Sequence, residues 1–149
     1  MTEIEMVKAR QDLEELVDKY ATESDRNNQD YYVNVFTEDC HVRVYFNNQI
    51  GMEFTNVQDM IKAYKSFGAA KESFHINGQQ VVEFQDDDHA SGTCYAMANL
   101  VQEKDGEDIL TTHAVRYYDK YVKTGEGWKI AERDQYFVFS DSKVLPKLG

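Results

Sequence analysis

The chain has 149 residues, which leaves room for one domain around one hydrophobic core. Its 27 Asp and Glu against 16 Lys and Arg give a net charge of -11, a field that repels phosphate backbones and anionic lipid, so neither nucleic acid nor a membrane is an expected partner. With 42% hydrophobic residues, 10 Tyr and 8 Phe there is ample core material, and no run approaches the ~18 apolar residues of a spanning helix.

The first residues, Met1 to Glu5, lack the basic and apolar regions of a signal peptide, so a cytoplasmic location is expected. From Glu5 to about Ser24 the apolar residues Leu13, Leu16, Val17, Tyr20 and Ala21 recur at helical spacing among charged ones, which predicts an amphipathic helix. Ser24 to Asn28 bond their own backbone readily and should end it, letting a second short helix turn Tyr32, Val33 and Phe36 inward. Thr37, Glu38 and Asp39 read as a turn. Cys40 to Phe46 then alternate, with Val42, Val44 and Phe46 on one face and His41, Arg43 and Tyr45 on the other, the period of a half-buried strand.

A short extended piece, Ile50 to Phe54, leads to Thr55 or Asn56 as an N-cap. A third helix follows, with Val57, Met60, Ile61 and Tyr64 at helical spacing and Gly68 as its stop. Four long β segments come last, over Phe74 to Phe84, Ala90 to Gln102, Ile109 to Lys123 and Trp128 to Phe139, with a tail from about residue 141. Segments of this length should bend or bulge, especially near Gly78 and Gly92. The aspartate run Asp86 to Asp88 reads as a solvated turn, since it lacks the spaced ligands and glycine of a calcium loop. Helices first and a meander last predict a single α+β domain.

Phosphate-cradling, dinucleotide, serine-hydrolase and zincin motifs are missing, and His41, His75, His89 and His113 show no i, i+3 or i+4 pairing, so neither a cofactor nor a metal is expected. Cys40 and Cys94 are far apart and read as small buried hydrophobes.

Three stretches in order resemble the nuclear transport factor 2-like superfamily, and within it the SnoaL-like group of scytalone dehydratase, bile acid 7α-dehydratase and hexachlorocyclohexane dehydrochlorinase. They are Lys19 to Arg26 at the first helix end, Phe36 to Cys40, and the closing pair Tyr118 to Tyr121 and Gly127 to Arg133. The resemblance implies a cone-shaped, curved, mixed or antiparallel sheet packed against three N-terminal helices, cystatin-like in outline, with an enclosed small-molecule pocket. It also implies a dyad in which an aspartate at the first helix end orients a histidine base on a long strand; Asp25 and His75 fall at those positions. Tyr20, five residues before the aspartate, matches the bile acid dehydratase rather than the dehydrochlorinase, which has lysine there. The dehydratases carry a further His or Asp where this chain has Ala98, Asn99 and Leu100, so Asn99 is expected to offer a hydrogen bond but no proton.

A neutral imidazole takes a proton from a carbon acidified by a carbonyl if its tautomer is fixed, which is the service a carboxylate on Nδ1–H performs. Taken alone, His75 between Phe74 and Ile76 is a satisfied half-buried histidine and Asp25 a polar helix end. At 100° per residue Asp25 lies at the edge of the buried stripe, so it reaches a pocket only if the helix breaks there. His113, with Tyr45 and Tyr95, is a candidate substrate contact, and Tyr20 a donor to developing negative charge. The expected function is a cofactor-independent dehydratase-like lyase acting on a small or polycyclic carbonyl compound; the alternative is a non-catalytic ligand-binding or assembly domain of the same fold. The strands Tyr117 to Tyr121 and Tyr136 to Phe139 would expose apolar surface, so a homo-oligomer, dimer or trimer, is expected.

Overall fold

The computed structural model describes residues 1–147. The Thr2 hydroxyl accepts the Glu5 N–H, satisfying one orphan donor at the start of α1 (Glu3–Asp25). The helix ends where Asn27 takes a left-handed conformation (φ 56°) and the Asn27 and Asn28 N–H groups turn back to the carbonyls of Ser24 and Glu23. The second helix is a single 3-10 segment, Gln29–Asn34. Tyr32 is buried in it, but Val33 faces out, because consecutive residues sit about 120° apart at three per turn.

β1 (Phe36–Phe46) and β2 (Gln49–Phe54) form a hairpin, and α2 (Val57–Ser66) follows, with Asn56 as its N-cap. Then come β3 (Glu72–Phe84), β4 (His89–Lys104), β5 (Glu107–Thr124) and β6 (Gly127–Val144). The six strands make one open sheet in the order β2-β1-β6-β5-β4-β3, with β1 parallel to β6 and every other pair antiparallel. The fold is α+β, as expected. α1 lies on β3 and β6, and α2 on β1 and the 3-10 segment, so the helices cover one face and leave the other bare.

Thr37 to Asp39 are not a turn. Phe36 already pairs with Ile130 and is buried, and the next regular pair is His41 with Glu132, so the polar residues form a wide bulge in β1. β3 bulges between Asn77 and Gln80, at Gly78. Gly92 instead lies in regular pairing and makes room: a Cβ there would sit 2.9 Å from the Tyr121 ring and 3.0 Å from the Val81 carbonyl oxygen. The expected tail from residue 141 is strand as far as Val144, because Ile109 to Thr112 offer it backbone partners. Phe46 keeps the face of Val42 and Val44, opposite Phe137 on β6, but at the end of β1 it lies exposed and stacks on that ring. Cys40 and Cys94 are free and buried, and burial pushes both thiols up to about 11, so neither is a ready nucleophile.

The core contains a charge. Asp119 and Arg133 are cross-strand partners, and both side chains are withdrawn from solvent. The guanidinium meets the carboxylate as a fork, Nε to Oδ1 at 2.8 Å and Nη2 to Oδ2 at 3.0 Å. The rings of Tyr117, Tyr20 and Phe36 lie 3.9, 4.7 and 5.4 Å from the guanidinium carbon. Burial alone would favour the neutral form of Arg133, but the bonded carboxylate outweighs it and holds the group charged. Asp119→Ala should therefore lower unfolding free energy by about 3–5 kcal/mol in urea titrations, because it strands a buried charge. The double variant Asp119→Leu, Arg133→Met should recover most of that loss. An unchanged urea midpoint in Asp119→Ala would mean that the guanidinium finds water.

Candidate active site

Because α1 stops at Asp25, its carboxylate reaches past the last turn to β3, an edge strand whose outward N–H groups face the helix rather than β4. Asp25 Oδ1 lies 2.6 Å from His75 Nδ1, and Oδ2 accepts the His75 backbone N–H at 2.9 Å. Ser73, two residues earlier on the same side of β3, donates its hydroxyl to Oδ1 at 2.8 Å. An ionised carboxylate only accepts, so the His75 proton sits on Nδ1 and Nε2 keeps its lone pair. These donors offset the cost of a negative group at the negative end of a helix dipole.

His75 borders a cavity of about 280 Å3 between the inner sheet face, the end of α1 and α2. It is open rather than enclosed: the exposed residues Asn27, Phe67, Gly68, Ala69 and Gln102 edge its mouth. Its wall carries the rings of Tyr20, Tyr32, Tyr64, Tyr117 and Phe137, and no Lys, Arg, Asp or Glu among the described residues lines it. Register explains how two histidines come to share it. His75 pairs with Ala98, Ala98 with His113 and His113 with Ser140, so all four lie in one row across the sheet. The alanine between the imidazoles leaves open the space over the sheet that a larger side chain would fill. His113 Nδ1 is 2.6 Å from Ser140 Oγ, and the ring stands edge-on to Phe137.

The SnoaL-like domain model matches residues 5–134. The chain belongs to the SnoaL-like family. Its fold is similar to that of a candidate scytalone dehydratase from Novosphingobium aromaticivorans, with 19% identity over 98% of this chain and 94% of the other at a TM-score of 0.80. It is also similar to a hexachlorocyclohexane dehydrochlorinase from Novosphingobium barchaimii, with 13% identity over 99% and 96% at a TM-score of 0.76. A third similar structure is the β subunit of a candidate aromatic-ring-hydroxylating dioxygenase from N. aromaticivorans, with 17% identity over 89% and 90% at a TM-score of 0.72. No curated protein sequence matches significantly.

Within the SnoaL-like frame the remaining candidates divide by sheet face. Tyr20 lines the cavity, packed edge-on to Phe36 and Tyr117, and burial pushes its hydroxyl pKa up, so it is a donor throughout the physiological range. Asn99, Tyr95 and Tyr45 do not reach the cavity. β4 turns Ala98, Leu100 and Gln102 inward, so Tyr95 and Asn99, one residue out of phase, face the other side. There Asn99 bonds the Phe74 carbonyl and the Thr112 hydroxyl, and Tyr95 lies under the Arg116 guanidinium. Tyr45 stacks on Tyr136, 4.2 Å between centroids, on that same outer face. Sequence reasoning missed Ser73 and Gln135, although both share the alternation of an inward neighbour, His75 and Phe137 respectively. His89 is exposed and bonded to Asp86, and His41 is half-buried beside Glu53. Among the described residues no three His, Cys, Asp or Glu side chains converge on a possible metal position, and no helix is long and apolar enough to cross a membrane.

Burial and then the nearby His75 hold the His113 pKa below its ordinary value. An NMR titration should place its midpoint below ~6.5, and His75→Ala should raise it. Since the folded value is the lower one, His113 costs no stability above ~6.5 and subtracts stability as the pH falls from there through the folded midpoint. An ordinary midpoint would mean that the ring is fully hydrated.

Proposed function

We propose that the protein is a cofactor-independent lyase of the dehydratase type, with His75 as general base, Asp25 as its orienting partner and Tyr20 as a hydrogen-bond donor. The observation that carries this reading is the 2.6 Å contact between His75 Nδ1 and Asp25 Oδ1 beside a cavity that the ring lines. In the proposed reaction Nε2 takes the acidic C–H proton, the electron pair becomes the new double bond, and the β C–O bond breaks. The imidazolium returns its proton to the departing oxygen, which leaves as water. This return by the base itself calls for no second acid on β4, which lines the cavity with Ala98, Leu100 and Gln102. Asp25 stabilises the imidazolium between these steps, and Tyr20, with His113, holds the carbonyl oxygen as it gains charge.

The cavity favours a small substrate. At about 280 Å3 it lies at the low end of ligand sites, which suits one or two fused rings better than a polycyclic frame. A wall without charged side chains favours a neutral compound.

The bare sheet face is proposed to meet a second copy of the chain. Phe74, Ile76, Val138 and Phe139 are exposed there, with Phe139 60% accessible, beside Tyr95 and Tyr118. Tyr117 and Tyr121 take no part, because they alternate inward and are buried.

The test is α-deuterium incorporation into small cyclic ketones in D2O. His75→Ala should slow it by ~10²–10⁴-fold with the fold intact. Asp25→Asn should be as severe, since an amide favours the wrong tautomer and leaves the imidazolium unbalanced. Tyr20→Phe should cost about 10–10³-fold. Near-normal exchange in His75→Ala would overturn the mechanism and leave the non-catalytic reading, a small-molecule-binding or assembly domain. Sedimentation showing only a 17.3 kDa species at micromolar concentration would overturn the oligomer.

A further inference from the structure

The inner end of the cavity holds a polar group that the proposed chemistry does not use. Gln135 lies on β6 between its cross-strand neighbours Tyr117 and Val44. It is 8% exposed, it lines the cavity, and its carboxamide oxygen is buried without a hydrogen-bond partner among the described residues. Several other polar groups in this interior are matched, although Arg133 Nη1 is likewise buried without a partner. Asp119 holds Arg133, Gln80 donates to the Leu13 carbonyl and the Tyr121 hydroxyl, and Tyr32 shares a hydrogen bond with Ser24. A buried acceptor without a donor is costly, and the protein keeps this one where an apolar side chain would pack.

Depth gives the acceptor a direction. His113 stands in the His75 row near the mouth, whereas Gln135 pairs with Tyr117, four residues further along β5, about 13 Å of strand away. The wall between them, including Val115 and Phe137, is apolar. A ligand that reaches both levels presents a ring to the middle and a hydrogen-bond donor to the far end. With no carboxylate among the described residues that line the cavity, that donor is neutral rather than an ammonium group.

We propose that Gln135 is a recognition residue at the inner end of the cavity, where its carboxamide oxygen accepts a hydrogen bond from a hydroxyl on a neutral, flat, ring-containing ligand. The ligand end remote from that hydroxyl lies at His75. The proposal rests on the cavity being the ligand site, but not on His75 being a base, and it is read by binding alone.

The experiment compares 2-naphthol with naphthalene by fluorescence titration of the full chain, together with thermal unfolding of the ligand-free protein. The wild type should bind 2-naphthol about 10-fold more tightly than naphthalene. Gln135→Met, close in length and without the amide, should erase that preference while the naphthalene affinity holds. Its Tm without ligand should stay the same or rise, because an unpaired buried amide has been removed. A purely structural glutamine would behave in the opposite way, with Tm falling and the preference intact. Equal binding of the two probes by the wild type, binding of neither, a preference that survives in Gln135→Met, or failure of that variant to fold would each overturn the proposal. A lack of turnover on ketones would sink the lyase reading and leave this result standing.

Discussion

The Arg133 guanidinium is 1% exposed, held by the Asp119 carboxylate and roofed by aromatic rings, and much of the interior is arranged around it. A charge at that depth needs a partner in the directly opposed cross-strand position. Sliding β5 against β6 by one residue would turn the two groups to opposite faces and leave one of them alone in the core. The pair thus makes one strand register far better than its neighbours. Tyr20 and Tyr117 cover the cation with one part of their surface and face the cavity with another, so the ion pair also shapes the inner end of the site.

A second constraint acts at the mouth. The last residue of α1 accepts from the backbone and ring of His75 and from the hydroxyl of Ser73, so one carboxylate ties a helix end to an edge strand. An edge strand has free N–H groups, and here one of them serves the site instead of inviting another strand. Between these two anchors the described residues of the wall are uncharged, and several are aromatic. In such surroundings a charge on the His75 ring would be felt strongly, and in the proposed reaction the Asp25 carboxylate would offset it.

Much of this was legible in the sequence. The amphipathic stripe of α1, the Asn56 cap and the switch to alternation at Cys40 are local signals, and they gave the element order and the α+β class. The motif order pointed to the SnoaL-like family. The errors share a cause. Thr37 to Asp39 look like a turn because they are polar, but their neighbours are held in the sheet by β6, about 90 residues later. A 3.6-residue period turns Val33 inward, where the chain adopts 3.0. The last four residues of β6 carry little hydrophobic signal and are strand because β5 offers them partners.

By itself the sequence determined which residues could do chemistry, namely a histidine flanked by apolar strand residues, an aspartate at a helix end and a tyrosine one turn and a half before it. It also determined the net charge of -11. Only the tertiary structure decided which of these groups meet. Asp25 and His75 are 50 residues apart, and their contact depends on where α1 stops and which edge of β3 it meets. The sheet face of Tyr45, Tyr95 and Asn99, and with it their exclusion from the cavity, was set by the phase of each strand against the helices. Alternation in a sequence tells which residues share a face, but the side on which the helices pack is fixed by long-range burial, and that information is not local.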